Sequence, residues 1–215
     1  MSNRSPRPPA ERNRPFWELD ENLPLREISE RITRLVEGMA KFWSNCSGWA
    51  PEEAAKLLSE ARLDRVASLS ASLIRWIEDD DLSDGDLILA WTNLGSVMEG
   101  VLKIFLCVYL NDYRADDLSR KTRAYRVKEG ALRDPDELNL DTILKYVGLA
   151  ELLPAEDISL ATLTQSRRNA IHAFQDRPLG TTEEFRQSLR RFREMAVCLH
   201  YRLPYPDEMG GFAPI

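Results

Sequence analysis

Residues 87–110 read LILAWTNLGSVMEGVLKIFLCVYL and form the most apolar stretch of the chain. Apolar side chains recur on almost every side of a helical projection, so this stretch predicts a helix that is central to a bundle. Gly95 and Gly100 would let neighbouring helices approach it closely. Glu99 is an exception in this setting and leaves two interpretations open: a surface residue on the narrow polar side, or a buried acid with a partner.

The segments on either side of this central helix also carry apolar residues at helical spacing. Ser83 or Asp84 is a suitable N-cap for the central helix, and Asn139 or Asp141 for a short helix that follows it. The sequence predicts further helices over residues 25–45, 51–78 and 140–147, from 157 or 159 onward, and from 181 or 182 to about 201.

Three other regions do not follow the helical pattern. Residues 111–138 are polar, charged and interrupted by glycine and proline, so we expect a partly helical insertion on the surface. Residues 1–24 are rich in proline and predict a flexible arm, and residues 204–215 form a C-terminal tail. The expected fold is all-α: a single up-and-down helical bundle over residues 25–203, with extended terminal arms.

The bulk composition is that of a folded domain. The chain has 215 residues, 43% of them hydrophobic and 30% charged, and no continuous apolar run approaches the ~20 residues of a membrane span. The N-terminal residues lack the apolar core of a secretory signal, so we expect a cytoplasmic protein without a membrane partner. Cys46, Cys107 and Cys198 are far apart in mainly apolar stretches and predict buried thiols rather than a metal site.

Charge is distributed unevenly along the chain, whose formal net charge is −6. Residues 114–133 contain seven basic residues against three acids, and residues 164–203 contain eight against four, so each segment carries a net charge of +4. An arginine-rich surface of this kind suits phosphate. The alternative is that these residues belong to solvated helix faces whose partners lie at position i+4.

Residues 167–174, Arg-Arg-Asn-Ala-Ile-His-Ala-Phe, concentrate polar chemistry between two apolar helical segments. Arginine holds a phosphate with a fixed fork of donors, and histidine exchanges a proton near neutral pH. On a continuous helix Arg168 and His172 would lie about 40° apart on one face, and Arg167 about 140° from His172. Asn169 could bond the backbone at a helix end or orient a neighbour. A structural role for the histidine is the alternative.

Three features of the chain resemble the HEPN family (higher eukaryotes and prokaryotes nucleotide-binding domain). Residues 94–103 are similar to the family's helix with glycine, glutamate and leucine. Residues 167–172 are similar to its signature of arginine, polar residue and histidine, and the last helix follows Leu179-Gly180-Thr181. The resemblance covers roughly residues 85–203, and its specific part is the short Arg-Asn-His stretch.

The resemblance implies a helical bundle that forms a homodimer, with one composite ribonuclease site where two copies of the motif meet. His172 would act as acid or base, Arg168 with Arg167 would hold the scissile phosphate, and Asn169 would orient the site. Glu99 would pair with one of the arginines. RNA is the implied substrate, and no metal or other cofactor is required. Many family members act in toxin–antitoxin, anti-phage or RNA-processing systems, so an antitoxin or regulatory protein is a candidate partner.

Two features depart from the family pattern. The family usually has more residues between the arginine and the histidine than the three that separate Arg168 from His172, and four separate Arg167 from His172. Which of the two is the functional arginine therefore stays open, with Arg168 preferred. Phe174 stands where some family members carry a tyrosine that a partner nucleotidyltransferase modifies. A regulator of that kind would find no hydroxyl here.

Two other functions are open at this point. A catalytically silent HEPN-like module would bind RNA, a nucleotide or a protein partner, and its Arg-Asn-His segment would staple the dimer. A helical adaptor with no nucleic-acid role would account for the acidic net charge and the proline-rich arm. His200 ends the last helix and is expected to be a favourable C-terminal cation rather than a catalyst.

Overall fold

The computed structural model describes residues 23–172, 174 and 176–206, and these are mostly helical, which confirms the predicted helical class. Most of the two predicted arms, 1–22 and 207–215, lies outside the described residues. The described α-helices are α1 (Leu25–Trp43), α2 (Glu52–Glu60), α3 (Leu63–Ala71), α4 (Asp84–Val108), α5 (Leu110–Ala115), α6 (Asp117–Arg120), α7 (Leu140–Leu149), α8 (Ala155–Arg168) and α9 (Thr182–Tyr201). Between them lie 3-10 segments at Ser72–Ile77, Pro135–Glu137 and Asn169–Ile171, and the strands β1 (Tyr125–Arg126) and β2 (Ala131–Leu132).

Helix α4 lies at the centre of the fold, as its sequence predicts. It packs against α3, α8 and α9, and most of its side chains are buried. The Ser83 hydroxyl accepts a hydrogen bond from the backbone N–H of Asp86 and caps the helix. At Gly100, an added Cβ would lie 2.6 Å from a methyl carbon of Val66 on α3. The missing side chain therefore allows α3 to cover one side of α4.

Within the described residues, α4 is the helix that is long and apolar enough to span a membrane. Of its most apolar stretch, 67% is buried inside the fold. A core helix meets the same criteria, so the burial of α4 beneath its neighbours accounts for its apolar composition.

The single helix predicted over residues 51–78 is wrong, because the chain forms α2, α3 and a 3-10 segment there. Ala61 has an extended backbone with ψ of 142°, and the N–H of Leu63 donates to the Ala61 carbonyl at 2.9 Å. The Arg62 guanidinium binds the Asp64 carboxylate beside this break, with 2.6 Å between Nη2 and Oδ2. Both helices pack on the core, so the apolar spacing continues across the break and does not reveal it.

The insertion at residues 111–138 is helical in part, as predicted, but it is not confined to the surface. It contains α5, α6 and an antiparallel hairpin formed by β1 and β2, which was not predicted. Tyr113 is 1% exposed, and its hydroxyl donates to the Arg133 carbonyl at 2.8 Å. Ala124 is also buried. These anchors hold one side of the insertion against the core, whereas the hairpin turn at 127–130 is exposed.

Local caps set the starts of the two helices that flank the candidate motif. α8 begins at Ala155, slightly earlier than predicted, because Pro154 occupies the N-cap position with an extended backbone. The Thr181 hydroxyl accepts a hydrogen bond from the N–H of Glu184 at 3.1 Å and caps α9, as predicted. These N-cap residues therefore fix the positions at which α8 and α9 begin.

Residues from both predicted arms pack on the bundle where the structure describes them. The Leu23 carbonyl accepts a hydrogen bond from Nη1 of Arg190 on α9 at 2.6 Å. The Tyr205 hydroxyl accepts one from the Trp43 indole N–H at 2.8 Å, and the two rings lie 5.3 Å apart. These contacts tie the beginning and the end of the described chain to α1 and α9.

Candidate functional site

The arginine–histidine stretch does not form a continuous helix. α8 ends at Arg168, Asn169–Ile171 is a 3-10 turn, and His172 follows it with φ of −82° and ψ of 80°. The N–H of His172 donates to the Asn169 carbonyl at 3.2 Å. The predicted common face of Arg168 and His172 on one helix is therefore wrong, because the chain tightens at the helix end as helix C-termini often do. The change of geometry leaves His172 exposed.

Arg168 crosses α4 to reach Glu99. Its Nη1 donates to Glu99 Oε2 at 2.7 Å. The side chain runs over Gly95, where a Cβ would lie 2.8 Å from the Arg168 Cδ. The Glu99 side chain is 18% exposed, so Glu99 is a half-buried acid with a partner and not a solvated surface residue. Lys103, one turn further along α4, places its Nζ 3.1 Å from Glu99 Oε1 and completes a three-residue network.

Arg167 points to a different part of the fold. Its Nη2 lies 2.9 and 3.0 Å from the two carboxylate oxygens of Glu184, and its Nη1 donates to the Pro178 carbonyl at 2.8 Å. Gly180 has a φ of +77°, and a Cβ there would lie 2.5 Å from Glu184 Oε2. The Trp91 indole N–H donates to the Leu179 carbonyl at 2.9 Å. Arg167 is therefore a brace that holds the chain before α9 against α8.

The two arginines differ in exposure as well as in partners. The Arg168 side chain is 30% exposed and that of Arg167 is 16% exposed. Arg167 uses Nε, Nη1 and Nη2 in contacts within the fold. Arg168 is therefore the arginine with the more exposed side chain, and it is close in sequence to the exposed His172.

Apolar side chains flank His172 on the surface. Ile171 is 48% exposed, and Phe174 is fully exposed. Large exposed apolar side chains beside a polar motif are typical of a surface that another molecule covers. The turn therefore combines a titratable group with apolar contacts available for binding.

Polar residues outside this turn are buried or bound within the fold. His200 is 3% exposed, with its ring 4.6 Å from that of Tyr205. The Asp81 carboxylate accepts a hydrogen bond from the Thr182 hydroxyl at 2.9 Å. Burial raises the pKa of the Cys107 thiol to about 12, and the charges of nearby aspartates add to this effect, so its reactive thiolate form is disfavoured. Among the described residues, no group of three or more histidine, cysteine or acidic side chains could hold a metal ion.

Sequence analysis missed two connections between the candidate site and the insertion. Lys103 Nζ donates to the Asp136 carbonyl at 3.0 Å in addition to its contact with Glu99. The i,i+4 spacing of Glu99 and Lys103 could have identified the contact between these two residues, but not the contact of Lys103 with Asp136. The second connection runs through Asp141. The pKa of its carboxyl is lowered by the hydrogen bond from Lys145, and also by the Gln165 side chain and the charge of Arg123.

No protein-family model, curated protein or solved structure matches this chain. The geometry of the site and its surroundings therefore carries the functional argument.

Proposed function

We propose that this protein is a metal-independent endoribonuclease of HEPN type, in which His172 exchanges protons and Arg168 contacts the scissile phosphate. The observation that carries the proposal is an exposed histidine four residues after an arginine that Glu99 holds in place. Asn169 begins the 3-10 turn and its carbonyl accepts the His172 N–H, so it orients the histidine. A toxin–antitoxin, anti-phage or RNA-processing system would use such an activity.

The chemistry needs only side chains and the substrate. The His172 imidazole removes the proton of a ribose 2′-hydroxyl, and that oxygen attacks the adjacent phosphorus. The bond from phosphorus to the 5′-oxygen of the next nucleotide breaks, and a second acid protonates the leaving oxygen. The products are a 2′,3′-cyclic phosphate and a 5′-hydroxyl. Arg168 stabilises the charge that develops on the phosphate oxygens.

Two features favour a site shared by two copies of the chain. Side chains of a helix lean toward its N-terminus, so Arg168 at the C-terminal end of α8 leans back toward Glu99, whereas His172 lies beyond that end of the helix. The exposed Ile171 and Phe174 would gain stability by burial against a second copy. A symmetric dimer would then bring an arginine and a histidine from different chains to one phosphate, and the second histidine would supply the acid.

The first test is cleavage of a mixed pool of cellular RNAs in the presence of EDTA. The wild-type protein should cleave, and His172→Ala should lose about 100-fold or more of the activity because proton transfer is removed. Lys56→Ala on α2 is the matched control and should cleave like the wild type. Full cleavage by His172→Ala would overturn the assignment of His172, and cleavage abolished by EDTA would overturn the metal-independent mechanism.

The shared site is tested separately with Phe174→Ser. This change should convert the dimer to monomer in analytical ultracentrifugation and reduce cleavage to the same degree. Leu149→Ser removes an apolar side chain that is 50% exposed at the end of α7 and should leave both properties unchanged. A Phe174→Ser protein that remains dimeric and fully active would contradict the composite site.

The second candidate function is a catalytically silent HEPN-like module that binds RNA, a nucleotide or a protein such as an antitoxin. The ion pairs of both arginines favour it, because Glu184 and Glu99 partly neutralise the charges that a phosphate would need. Under this alternative, Arg168→Ala would lower the melting temperature and change no catalytic rate. Under the ribonuclease proposal, it would abolish cleavage with little loss of stability.

A further inference from the structure

The seven cations of residues 114–133 fall into two groups. Three of them have partners within the fold: Arg114 binds Asp134 and Glu53, Arg126 binds Glu129 and Glu137, and Arg133 donates to the Arg123 carbonyl. The side chains of the other four are exposed, and the ion pairs of the described residues include none that they make. These four, on and beside the β1–β2 hairpin, are called here the hairpin surface: Arg120, Lys121, Arg123 and Lys128.

The β1–β2 hairpin determines where the cations of this surface lie. Lys128 lies in the exposed turn at 127–130. The Arg120 guanidinium lies over the Tyr125 ring, 5.7 Å from its centroid. A guanidinium stacked on a ring keeps its edge available for phosphate oxygens. The hairpin therefore presents several cations from a folded element whose base is anchored in the core.

The acids of the segment do not neutralise this surface. Glu129 is bound to Arg126, with 3.0 Å between the carboxylate and Nη1. Asp116 caps α6 through the N–H of Leu118. Asp117 is exposed and is the remaining acid of the segment. The surface thus keeps most of the +4 charge of residues 114–133, in a protein whose overall charge is −6.

Two bridges connect the hairpin surface with the candidate site. The pKa of the Asp141 carboxyl is lowered by Lys145 and also by the Gln165 side chain on α8 and the charge of Arg123, so Asp141 lies between the hairpin and α8. Gln165 precedes Arg168 by three residues, a rise of about 4.5 Å along the helix. On the other side, Lys103 joins the Asp136 carbonyl to Glu99, the partner of Arg168. The segment that carries the hairpin surface is therefore linked to Glu99 through Lys103 and Asp136, and Asp141 lies between Arg123 and α8.

We propose that the hairpin surface binds the phosphate backbone of an RNA strand whose neighbouring phosphate lies at Arg168 and His172. This inference rests on the proposed ribonuclease function for the identity of its ligand. Cations that follow a backbone hold successive phosphates without reading sequence, and a basic surface in a protein of acidic net charge attracts the strand locally. The stacked arginine and tyrosine suit a single strand, whose bases can stack on exposed π-faces.

The test measures RNA binding in a protein that does not cleave. In a His172→Ala background, the triple variant Lys121→Gln, Arg123→Gln, Lys128→Gln is compared with a control triple, Lys41→Gln, Lys56→Gln, Arg65→Gln. Both triples remove three exposed cations, and the control residues lie on α1, α2 and α3. Binding of a fluorescent single-stranded RNA of about 20 nucleotides is titrated at several salt concentrations, and melting temperatures verify folding.

The hairpin triple should weaken RNA binding about 10- to 100-fold at low salt. It should reduce the slope of log K against log[salt] by about 2, since each lost contact with a single strand removes about 0.7. The control triple should show a much smaller loss and the same slope as the background protein. Equal losses in the two triples, or no salt-dependent RNA binding by the background protein, would overturn the inference.

The two proposals can fail separately. If the hairpin triple loses RNA binding but no protein cleaves RNA, the hairpin surface stands and the ribonuclease proposal falls. If cleavage depends on His172 and RNA binding is unaffected by the hairpin triple, the ribonuclease proposal stands and the inference about the hairpin surface falls. Release of a co-purified acidic protein by the hairpin triple, with RNA binding unchanged, would assign this surface to a protein partner and overturn the RNA inference.

Discussion

The two basic segments have the same net charge in the sequence and different roles in the fold. Residues 114–133 present four exposed cations around a hairpin, with no ion pairs among the described residues. Residues 164–203 use their arginines mainly as internal braces. These braces reach backbone carbonyls or carboxylates on other elements: Arg167 to Glu184, Arg168 to Glu99, Arg186 to Asp79, Arg190 to Leu23, Arg191 to Glu156 and Arg202 to Leu152.

The difference shows that the net charge of a segment does not measure the positive charge available to a ligand. The sequence left two interpretations open, a phosphate-binding surface or solvated helix faces with i+4 partners. Neither interpretation fully describes the arginines of residues 164–203, because most of their hydrogen-bond partners are far away in the sequence. A guanidinium carries donors on several sides and can connect elements that pack together. Free basic surface remains where a short hairpin projects from the core.

Arg168→Ala is expected to have the largest effect of the variants, because Arg168 connects α8 with Glu99 and is also proposed to contact RNA. Cleavage should fall about 100- to 1,000-fold, since one preorganised donor to the phosphate is lost. The melting temperature should change little, because Lys103 still pairs with Glu99. Parallel cleavage assays and thermal melts check this. A large loss of stability with no loss of cleavage would make Arg168 a brace like its neighbours.

Arg167→Ala should have the next largest effect, on stability. The Arg167 side chain is 16% exposed, and its removal leaves Glu184 and the Pro178 carbonyl without these hydrogen bonds. Charged hydrogen bonds of this kind contribute about 2–3 kcal/mol, which corresponds to a lower melting temperature by about 4–10 °C in a domain of this size. Calorimetry measures the change. An unaltered melting temperature would contradict the role of Arg167 as a brace.

Gly95→Ala and Gly100→Ala, both in α4, should have smaller effects than these and should differ in whether cleavage or stability changes. Gly95→Ala places a Cβ against the flexible Arg168 side chain, so it should displace the arginine and reduce cleavage about 10- to 100-fold without lowering stability. Gly100→Ala places a Cβ against the β-branched Val66 and should cost about 1–3 kcal/mol while cleavage per folded molecule is unchanged. The same pair of assays distinguishes them. Similar behaviour of the two variants would mean that Arg168 needs no defined position.

The smallest effect is expected from Arg126→Ala within the hairpin. Arg126 is bound to Glu129 and Glu137 in exposed ion pairs, so its charge is already neutralised and such pairs contribute little stability. RNA affinity, its salt dependence and the melting temperature should all stay at the wild-type values. A loss of RNA affinity as large as that of Lys128→Gln would show that exposed cations bind RNA whether or not they are paired.

Much of the secondary structure could be predicted because its causes are local. The central helix follows from its apolar side chains, and the caps at Ser83, Asn139 and Thr181 each accept a hydrogen bond from a backbone N–H three residues or fewer away. The break between α2 and α3 could not be predicted in this way. Apolar residues on both sides of Ala61 pack against the core at spacings that also fit one continuous helix, so the spacing does not mark the break.

The candidate site was less predictable than the helices. The residue types of the Arg-Asn-His stretch indicated phosphate and proton chemistry, and Glu99 was correctly identified as an exceptional acid. Its pairing with Arg168 spans 69 residues of sequence, and that of Arg167 with Glu184 spans 17, so the choice of partner depended on how the helices pack. The 3-10 turn that removes His172 from α8 was also not visible in the residue spacing.

The helical class, the central position of α4, the caps and the residue types available for chemistry could all be read from the amino-acid sequence. These follow from side-chain periodicity and from contacts within one or two turns, which act in any fold. The tertiary structure alone decided which arginine reaches which carboxylate, that His172 lies on the surface, and which cations remain unpaired. Those outcomes depend on distances between elements far apart in the chain, and such distances exist only once the apolar faces have packed.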